Sequence, residues 1–251
     1  MQTEILIPQK SSQRKIINFL KGINFLNFLF KKINATRKVE ISFIEKSAAL
    51  KKDDIVLDIG SGDGYWTNYF SRNCKEITGI EPYEEHFLIA KKKYSDRCKF
   101  KLESAETLSF EDSTFDKIIS VCVFEHLYND EKAFSEMSRA LKSGGKLIAT
   151  IDSLNSPFIS QEFKNKHLKD CYCAQLYSPD SIVNKLNSAG FSNIYAHYII
   201  GSRLGIFYEK SLEKFGALAY ILLLPFYPIV LLLESKFKNS GYKILVTAVK
   251  K

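Results

Sequence analysis

Val56-Leu57-Asp58-Ile59-Gly60-Ser61-Gly62-Asp63-Gly64 is a short apolar run that passes directly into three glycines on alternate positions. A run of this length rich in Val, Leu and Ile suits a strand buried on both faces. The glycines after it allow the backbone to approach a ligand closely, and the helix expected behind them offers unpaired N–H groups to an anion. Downstream, Gly79-Ile80-Glu81-Pro82 ends a second apolar run with a carboxylate, about twenty residues beyond the first, where ribose hydroxyls can donate to it. Residue types and spacing together describe a nucleotide-like site at the carboxyl edge of a parallel sheet.

Outward from this pair, the chain alternates short apolar runs with helical stretches, the pattern of strands joined by crossover helices. Strands are expected at 55–59, 76–80, 98–102, 116–121, 145–151, 193–200 and 242–249. Lys142-Ser143-Gly144-Gly145 reads as a tight turn feeding the fifth, and Gly190 as a helix C-cap before the sixth. Val39 to Leu50 reads as a helix ahead of the first strand. Ser12 to Ile33 carries Ile16, Phe19, Leu20, Ile23, Leu26, Phe30 and Ile33 at helical spacing, an amphipathic helix with basic ends.

The 251 residues suffice for one domain with additions, and 45% hydrophobic with 25% charged residues is ordinary globular composition. A formal charge of +8 suits a phosphate-bearing partner, nucleic acid or anionic membrane alike. Five irregularly spaced cysteines and no secretory signal point to free thiols in a reducing compartment. No Cys/His pairs stand at ligand spacing, so no metal site is expected.

Several ordered motifs resemble the class I S-adenosylmethionine-dependent methyltransferases, in particular the branch of ubiquinone-type, small-molecule and glycan methyltransferases. The resemblance runs from about Val39 to Phe191 and resumes at the last strand. It implies a Rossmann-like, seven-stranded mixed sheet with helices on both faces and an antiparallel last strand. It also implies that Asp58, Gly60, Ser61, Gly62 and Gly64 hold the methionine part of S-adenosyl-L-methionine, and that Glu81, beside Pro82, binds the ribose. Ser104, Ala105 and Glu106 would contact adenine, and Val121 and Cys122, leaving the fourth strand, would lie beside the methionine moiety. A nicotinamide dehydrogenase is disfavoured, since the glycines here follow Gly-x-Gly-x-Gly rather than Gly-x-Gly-x-x-Gly.

Methyl transfer from a sulfonium needs alignment and the management of one proton. His126, after the fourth strand, and Asp152, just past the fifth, are the candidate proton acceptors, each with a structural alternative. His167, Tyr172 and Tyr177 are expected in a loop that shapes the acceptor pocket. Phe215 to Leu233 is a 19-residue stretch without a charge, between Lys214 and Glu234. That length could cross a bilayer, but strands of one sheet precede and follow it, so the chain must return to the side it left. Pro225 and Pro228 suggest a break into two short arms.

Three readings of this segment stay open: a monotopic membrane contact, a buried or homodimer-forming pair of helices, and a lid over an apolar acceptor. Lys210, Lys214, Lys236 and Lys238 border it, which favours the membrane. The expected organisation is an N-terminal amphipathic helix or lid (1–36), a methyltransferase domain (37–201 with 240–251) and an apolar helical insertion (202–239). The expected activity is methyl transfer to a small-molecule, glycan or lipid-linked acceptor, in the cytoplasm and peripheral on the inner face of the membrane. The alternatives are a soluble methyltransferase of a metabolite such as a quinone precursor, and a donor-binding protein without transfer activity. Nucleic acid is disfavoured as a partner, because no Asn-Pro-Pro-Tyr-like motif is present and the basic residues lie beside apolar segments.

Overall fold

The structure, a computed structural model, describes residues 33–216, 219 and 222–251. The amphipathic helix expected at Ser12 to Ile33 therefore lies almost wholly outside the described residues. Helix α1 (Ala35–Ala48) begins where the Asn34 side chain accepts from Arg37 N at 2.9 Å, and it ends at Ala49 in the left-handed region. This is the helix expected at Val39 to Leu50, started earlier by its Asn cap.

A seven-stranded sheet follows, in the order β3-β2-β1-β4-β5-β7-β6. Strands β1 (Ile55–Ile59), β2 (Glu76–Ile80), β3 (Lys99–Lys101), β4 (Phe115–Val121) and β5 (Leu141–Asn155) pair in parallel. Strand β7 (Gly241–Lys250) inserts antiparallel between β5 and β6 (Phe191–Ile199). Helices α2 (Tyr65–Phe70), α3 (Glu84–Tyr94), α4 (Asp130–Ala140), α5 (Gln161–Asp170), α6 (Pro179–Ser188), α7 (Arg203–Phe215) and α8 (Tyr227–Leu233) complete the described elements. This is the Rossmann-like mixed sheet that the alternating pattern implied.

Alternation along the strands divides the core into two layers. Leu57, Ile118 and Leu147 join Phe134 and Met137 of α4 and Leu186 of α6 on one face. Val56, Ile119 and Ile148 meet Val39 and Ile44 of α1 on the other. A third, smaller cluster gathers Ala35, Tyr208, Ala219, Leu223 and Val230, and so seats the apolar insertion on α1 and α7.

Local departures from the expected boundaries have identifiable causes. The Lys142–Gly145 turn is a bulge within β5: Leu141 pairs with Phe115, the register then shifts, and Lys146 pairs with Lys117. Gly144, at φ +75°, absorbs that bulge. Strand β6 starts two residues early and takes up its own irregularity between Ser192 and Tyr195, with Asn193 at φ +47°. In the insertion, the break falls at a 3-10 turn, Leu224–Phe226, which contains Pro225. Pro228 sits in the first turn of α8, where its missing N–H costs nothing, so it opens that helix. The other expected arm falls partly on residues outside the described set.

Candidate functional site

The glycine loop is shaped by two demands, packing and ligand space. Gly60 N and Ser61 N both donate to Ile80 O at 2.9 Å, locking the loop to the end of β2. All three glycines have positive φ. At Gly60 a Cβ would sit 2.4 Å from Val123 Cγ2, and at Gly64 2.9 Å from Ala90 Cβ, so these two are required by their neighbours. At Gly62 a Cβ would meet nothing within 4 Å. Gly62 is thus the position where the backbone faces open space, inside a pocket lined by Arg37, Asp58, Ser61, Asp63, Trp66 and Val121 among others.

The two sequence anchors are joined directly. Glu81, only 5% exposed, accepts from Gly62 N at 2.9 Å through Oε2 and from Tyr83 N at 3.2 Å through Oε1. Its neighbour Pro82 leads into α3. Asp58, also buried, accepts from Thr67 Oγ1 of α2 at 2.6 Å. Burial pushes its carboxyl up to about 7 against that hydrogen bond, with Glu81 adding repulsion. Ser61 Oγ is buried with no hydrogen-bond partner among the described residues. An orphaned hydroxyl, an open Gly62 and two carboxylates on one wall form a site with spare polar capacity, which fits the amino-acid and ribose parts of S-adenosylmethionine.

Ser104, Ala105 and Glu106 form a turn just after β3, closed by Thr107 N donating to Ser104 O at 3.1 Å. Ser104 Oγ and Glu106 Oε2 contact each other. The turn lies beside the Glu81 strand end, since Glu81 N donates to Lys101 O at 3.1 Å. Val121 lines the pocket, whereas Cys122, at φ +54°, takes part in a different environment.

That environment is a charged chamber at the carboxyl ends of β4 and β5. The Cys122 thiol donates to Glu40 Oε1 at 3.0 Å and accepts from Lys243 Nζ at 3.0 Å and Arg37 Nη1 at 3.5 Å. Burial and Glu40 push it far above an ordinary thiol. Lys243 also pairs with Asp152. Burial alone would strip its proton, but Asp152, Cys122 and Glu40 keep it an ammonium. His167 Nε2 lies 3.4 Å from Asp152 Oδ2 and its Nδ1 lies 2.9 Å from Glu213 Oε2. Burial opposes the imidazolium, yet Asp152, the two thiols of Cys171 and Cys173, and Glu213 raise it well above the usual range. Cys122, Glu125 and Asp152 bring ligand atoms within 4.8 Å of one another, but the Lys243 ammonium already bridges two of the three.

The two candidate proton acceptors part company here. His126 is exposed in the 3-10 turn Phe124–His126, with Nδ1 3.4 Å from Tyr172 O. Asp152 lies inside β5, which runs on to Asn155, rather than just past the strand, and is held as a carboxylate: burial opposes this, but Lys243 and His167 outweigh it. A carboxylate so firmly ionised is a poor base. The residue facing inward is Glu125, 1% exposed, whose Oε1 accepts from Asp152 N at 3.3 Å and whose Oε2 has no hydrogen-bond partner among the described residues. Burial first, and the Asp152 charge second, raise its carboxyl well above the usual range. His167 belongs to helix α5 rather than a loop, and Tyr177 is buried with its hydroxyl donating to Asp130 at 2.6 Å.

Arg37, Glu40, Glu125 and Lys243 were missed by sequence reasoning. Lys243 carries a signal, a lone charge within an otherwise apolar run of a strand that is buried continuously from Gly241 to Val246. Arg37 and Glu40, three residues apart on one face of α1 and ion-paired at 2.7 Å, look in sequence like an ordinary solvated pair.

Residues 57–149 match the family model described as a methyltransferase domain. Proteins described as uncharacterized methyltransferases from Bacillus thuringiensis and Bacillus anthracis are 38% identical over 96 residues, which is 37% of this chain and 44% of theirs. The match thus spans less than half the length of these curated relatives. Among solved structures, a possible histamine N-methyltransferase from Thermotoga maritima superposes with a TM-score of 0.63 at 19% identity, covering 93% of this chain and 99% of that one. The phosphoethanolamine N-methyltransferase 2 of Haemonchus contortus, in complex with S-adenosyl-L-methionine, gives 0.63 at 20% identity over 90% of this chain and 60% of that one. The YcgJ protein of Bacillus subtilis gives 0.60 at 19% identity over 84% and 97%. The fold is that of the class I methyltransferases.

Proposed function

We propose that this chain transfers a methyl group from S-adenosylmethionine to a small-molecule, glycan or lipid-linked acceptor, working at a membrane surface. The observation that carries the donor half is the bond from Gly62 N to Glu81 Oε2 beside an open Gly62, which ties the glycine loop directly to the ribose-type acid. The methyltransferase-domain match over residues 57–149 supports it. When bound there, the donor supplies an activated methyl group, so the chain's own task is alignment and proton management. Asp58, Ser61 and Gly62 would hold its amino-acid end, Glu81 its ribose, and Ser104 to Glu106 its base. Arg37 brings positive charge to the same wall. Glu125, with its unpartnered oxygen, is a better proton acceptor than His126 or Asp152.

Calorimetry with S-adenosylmethionine tests the site. Gly62→Arg fills the open space and should abolish binding, and Glu81→Ala should weaken it roughly 10- to 100-fold, the worth of hydrogen bonds to a charged group. Unchanged affinity in both would refute the assignment. Conversion of the donor to S-adenosylhomocysteine in the presence of cell extract separates an enzyme from a donor-binding protein. The competing reading, a soluble methyltransferase of a metabolite such as a quinone precursor, is favoured by the packing of Leu223 and Val230 into the third cluster. On that reading the insertion is a lid or a homodimer contact, and sizing without detergent would show a defined species.

A further inference from the structure

Helix α8 is apolar on both its faces. Tyr227, Val230, Leu231 and Glu234 recur at helical spacing on the inner side, with Val230 and Glu234 fully buried. The outer side is formed by Phe226, Ile229, Leu232 and Leu233, exposed by 42%, 47%, 74% and 42%. Leu222 and Leu224, just before the helix, are exposed by 61% and 49%. A surface helix ordinarily turns polar residues outward, and one that is hydrophobic all round calls for a second apolar environment. Six large apolar side chains within twelve residues exceed the scattered exposure normal for a monomer.

The border of this ridge is basic. From Lys214 to Lys238 the sequence contains a single acid, Glu234, which is buried. Its carboxylate accepts from Gly201 N at 3.0 Å and from Ser202 N at 2.9 Å, and it also contacts the Ser202 hydroxyl. The segment therefore shows the surroundings Lys214 and Lys236 without a compensating exposed carboxylate, on a chain of formal charge +8. No helix of the described residues is long and apolar enough to cross a membrane. Helix α8 spans seven residues, about 10 Å, enough to lie in one leaflet and too short to traverse it.

The ridge is also firmly tied to the donor domain. Glu234 pins its end to the start of α7, and Val230 packs on Tyr208. The Tyr208 hydroxyl donates to Ile33 O at 3.1 Å and accepts from Ala35 N at 3.3 Å, which fixes the start of the helix carrying Arg37. A surface that docks through the ridge would hold the donor pocket at a set orientation.

We propose that the outer face of α8 and the turn before it, Leu222 to Leu233, form a one-leaflet anchor that inserts into anionic phospholipid, with Lys214 and Lys236 on the headgroups. This rests on the membrane half of the reading above and is independent of the methyl donor. Apolar area draws the ridge out of water, and each Lys close to an anionic surface adds attraction that salt screens.

The test is flotation of the full chain with vesicles of phosphatidylglycerol and phosphatidylcholine in equal parts, or of phosphatidylcholine alone, with no donor present. Binding should favour the anionic vesicles and weaken severalfold in 0.5 M salt. The double variant Leu222→Ser with Leu232→Ser should lower the partition coefficient at least tenfold. Lys214→Glu with Lys236→Glu should abolish the preference for anionic lipid. S-adenosylmethionine affinity, measured in parallel, should be unchanged in both variants, because no altered residue lines the donor pocket. Loss of donor affinity in the unaltered chain would undermine the methyl-transfer reading and leave the anchor standing. Absence of binding to both vesicle types overturns the anchor. So does a concentration-dependent dimer that the Leu variants dissociate while vesicle binding stays unchanged, since the ridge would then be covered by a second copy.

Discussion

Replacing Glu234 by Ala should detach the apolar insertion from α7 and cost about 2–4 kcal/mol of stability. The carboxylate is fully buried and accepts from two backbone N–H groups, Gly201 and Ser202, at the start of α7, and it contacts the Ser202 hydroxyl. Hydrogen bonds to a charged acceptor are worth about 1.5–3 kcal/mol each, and a buried N–H left unmet costs about 1–3 kcal/mol. Gly201 and Ser202 are half-buried, so water recovers part of the loss, which sets the lower total. For a chain of this size each kcal/mol moves Tm by about 2–4 °C, so a fall of roughly 5–15 °C is expected. Urea unfolding followed by circular dichroism reads the free energy directly. Gly205→Ala should act through the same joint, since its Cβ would lie 2.2 Å from Glu234 Oε1. Glu234→Gln keeps one acceptor and should fall between the two states. A loss below about 0.5 kcal/mol for Glu234→Ala would refute the clasp, and equal losses for Ala and Gln would refute the part assigned to charge.

Three further outcomes follow from the site. Asp58 has a carboxyl raised in the fold to about 7 from an ordinary 3.8, so the folded state keeps its proton while the unfolded chain loses it. Its contribution is full below about pH 4 and is lost as pH rises to about 7, on the order of 4 kcal/mol at most. Asp58→Asn should flatten that part of the stability profile, and a variant whose unfolding free energy falls with pH as steeply as the parent's contradicts the assignment. Glu125→Gln should reduce turnover of S-adenosylmethionine by about 10²- to 10⁴-fold with donor affinity unchanged, the share of a positioned base; the same change at His126 should leave turnover within about threefold. Lys243→Met removes the ammonium from the contacts with Asp152 and Cys122, and should destabilise the fold by about 3–5 kcal/mol, as breaking a buried pair does. Combining it with Asp152→Asn should recover part of that loss, and strict additivity of the two would show that they do not interact.

What could be read from the chain and what could not divide along a physical line. Strands β1 and β2 end where expected because their buried runs stop at Gly60, the start of the glycine loop, and at Glu81-Pro82, both visible in the sequence. The bond from Gly62 to Glu81 joins residues whose meeting follows from adjacent parallel strands, so the contact between the glycine loop and the acid was legible too. Strand β5 ran longer than expected because a bulge at Gly144 looks in sequence like a turn.

The sequence by itself determined the sheet, the glycine loop and its acid, and the presence of an uncharged segment, since each depends on local periodicity or on neighbouring strands. Only the tertiary structure decided which face of that segment is covered, and that Glu125 rather than His126 points inward, since adjacent residues in a turn give no periodic sign of direction. It alone assembled Arg37, Glu40, Cys122, Asp152, His167 and Lys243, drawn from α1, the exit of β4, β5, α5 and β7 and up to 206 positions apart. A buried charge is tolerable only beside its partner, and partners so distant in the chain become neighbours only when the sheet and its helices have closed.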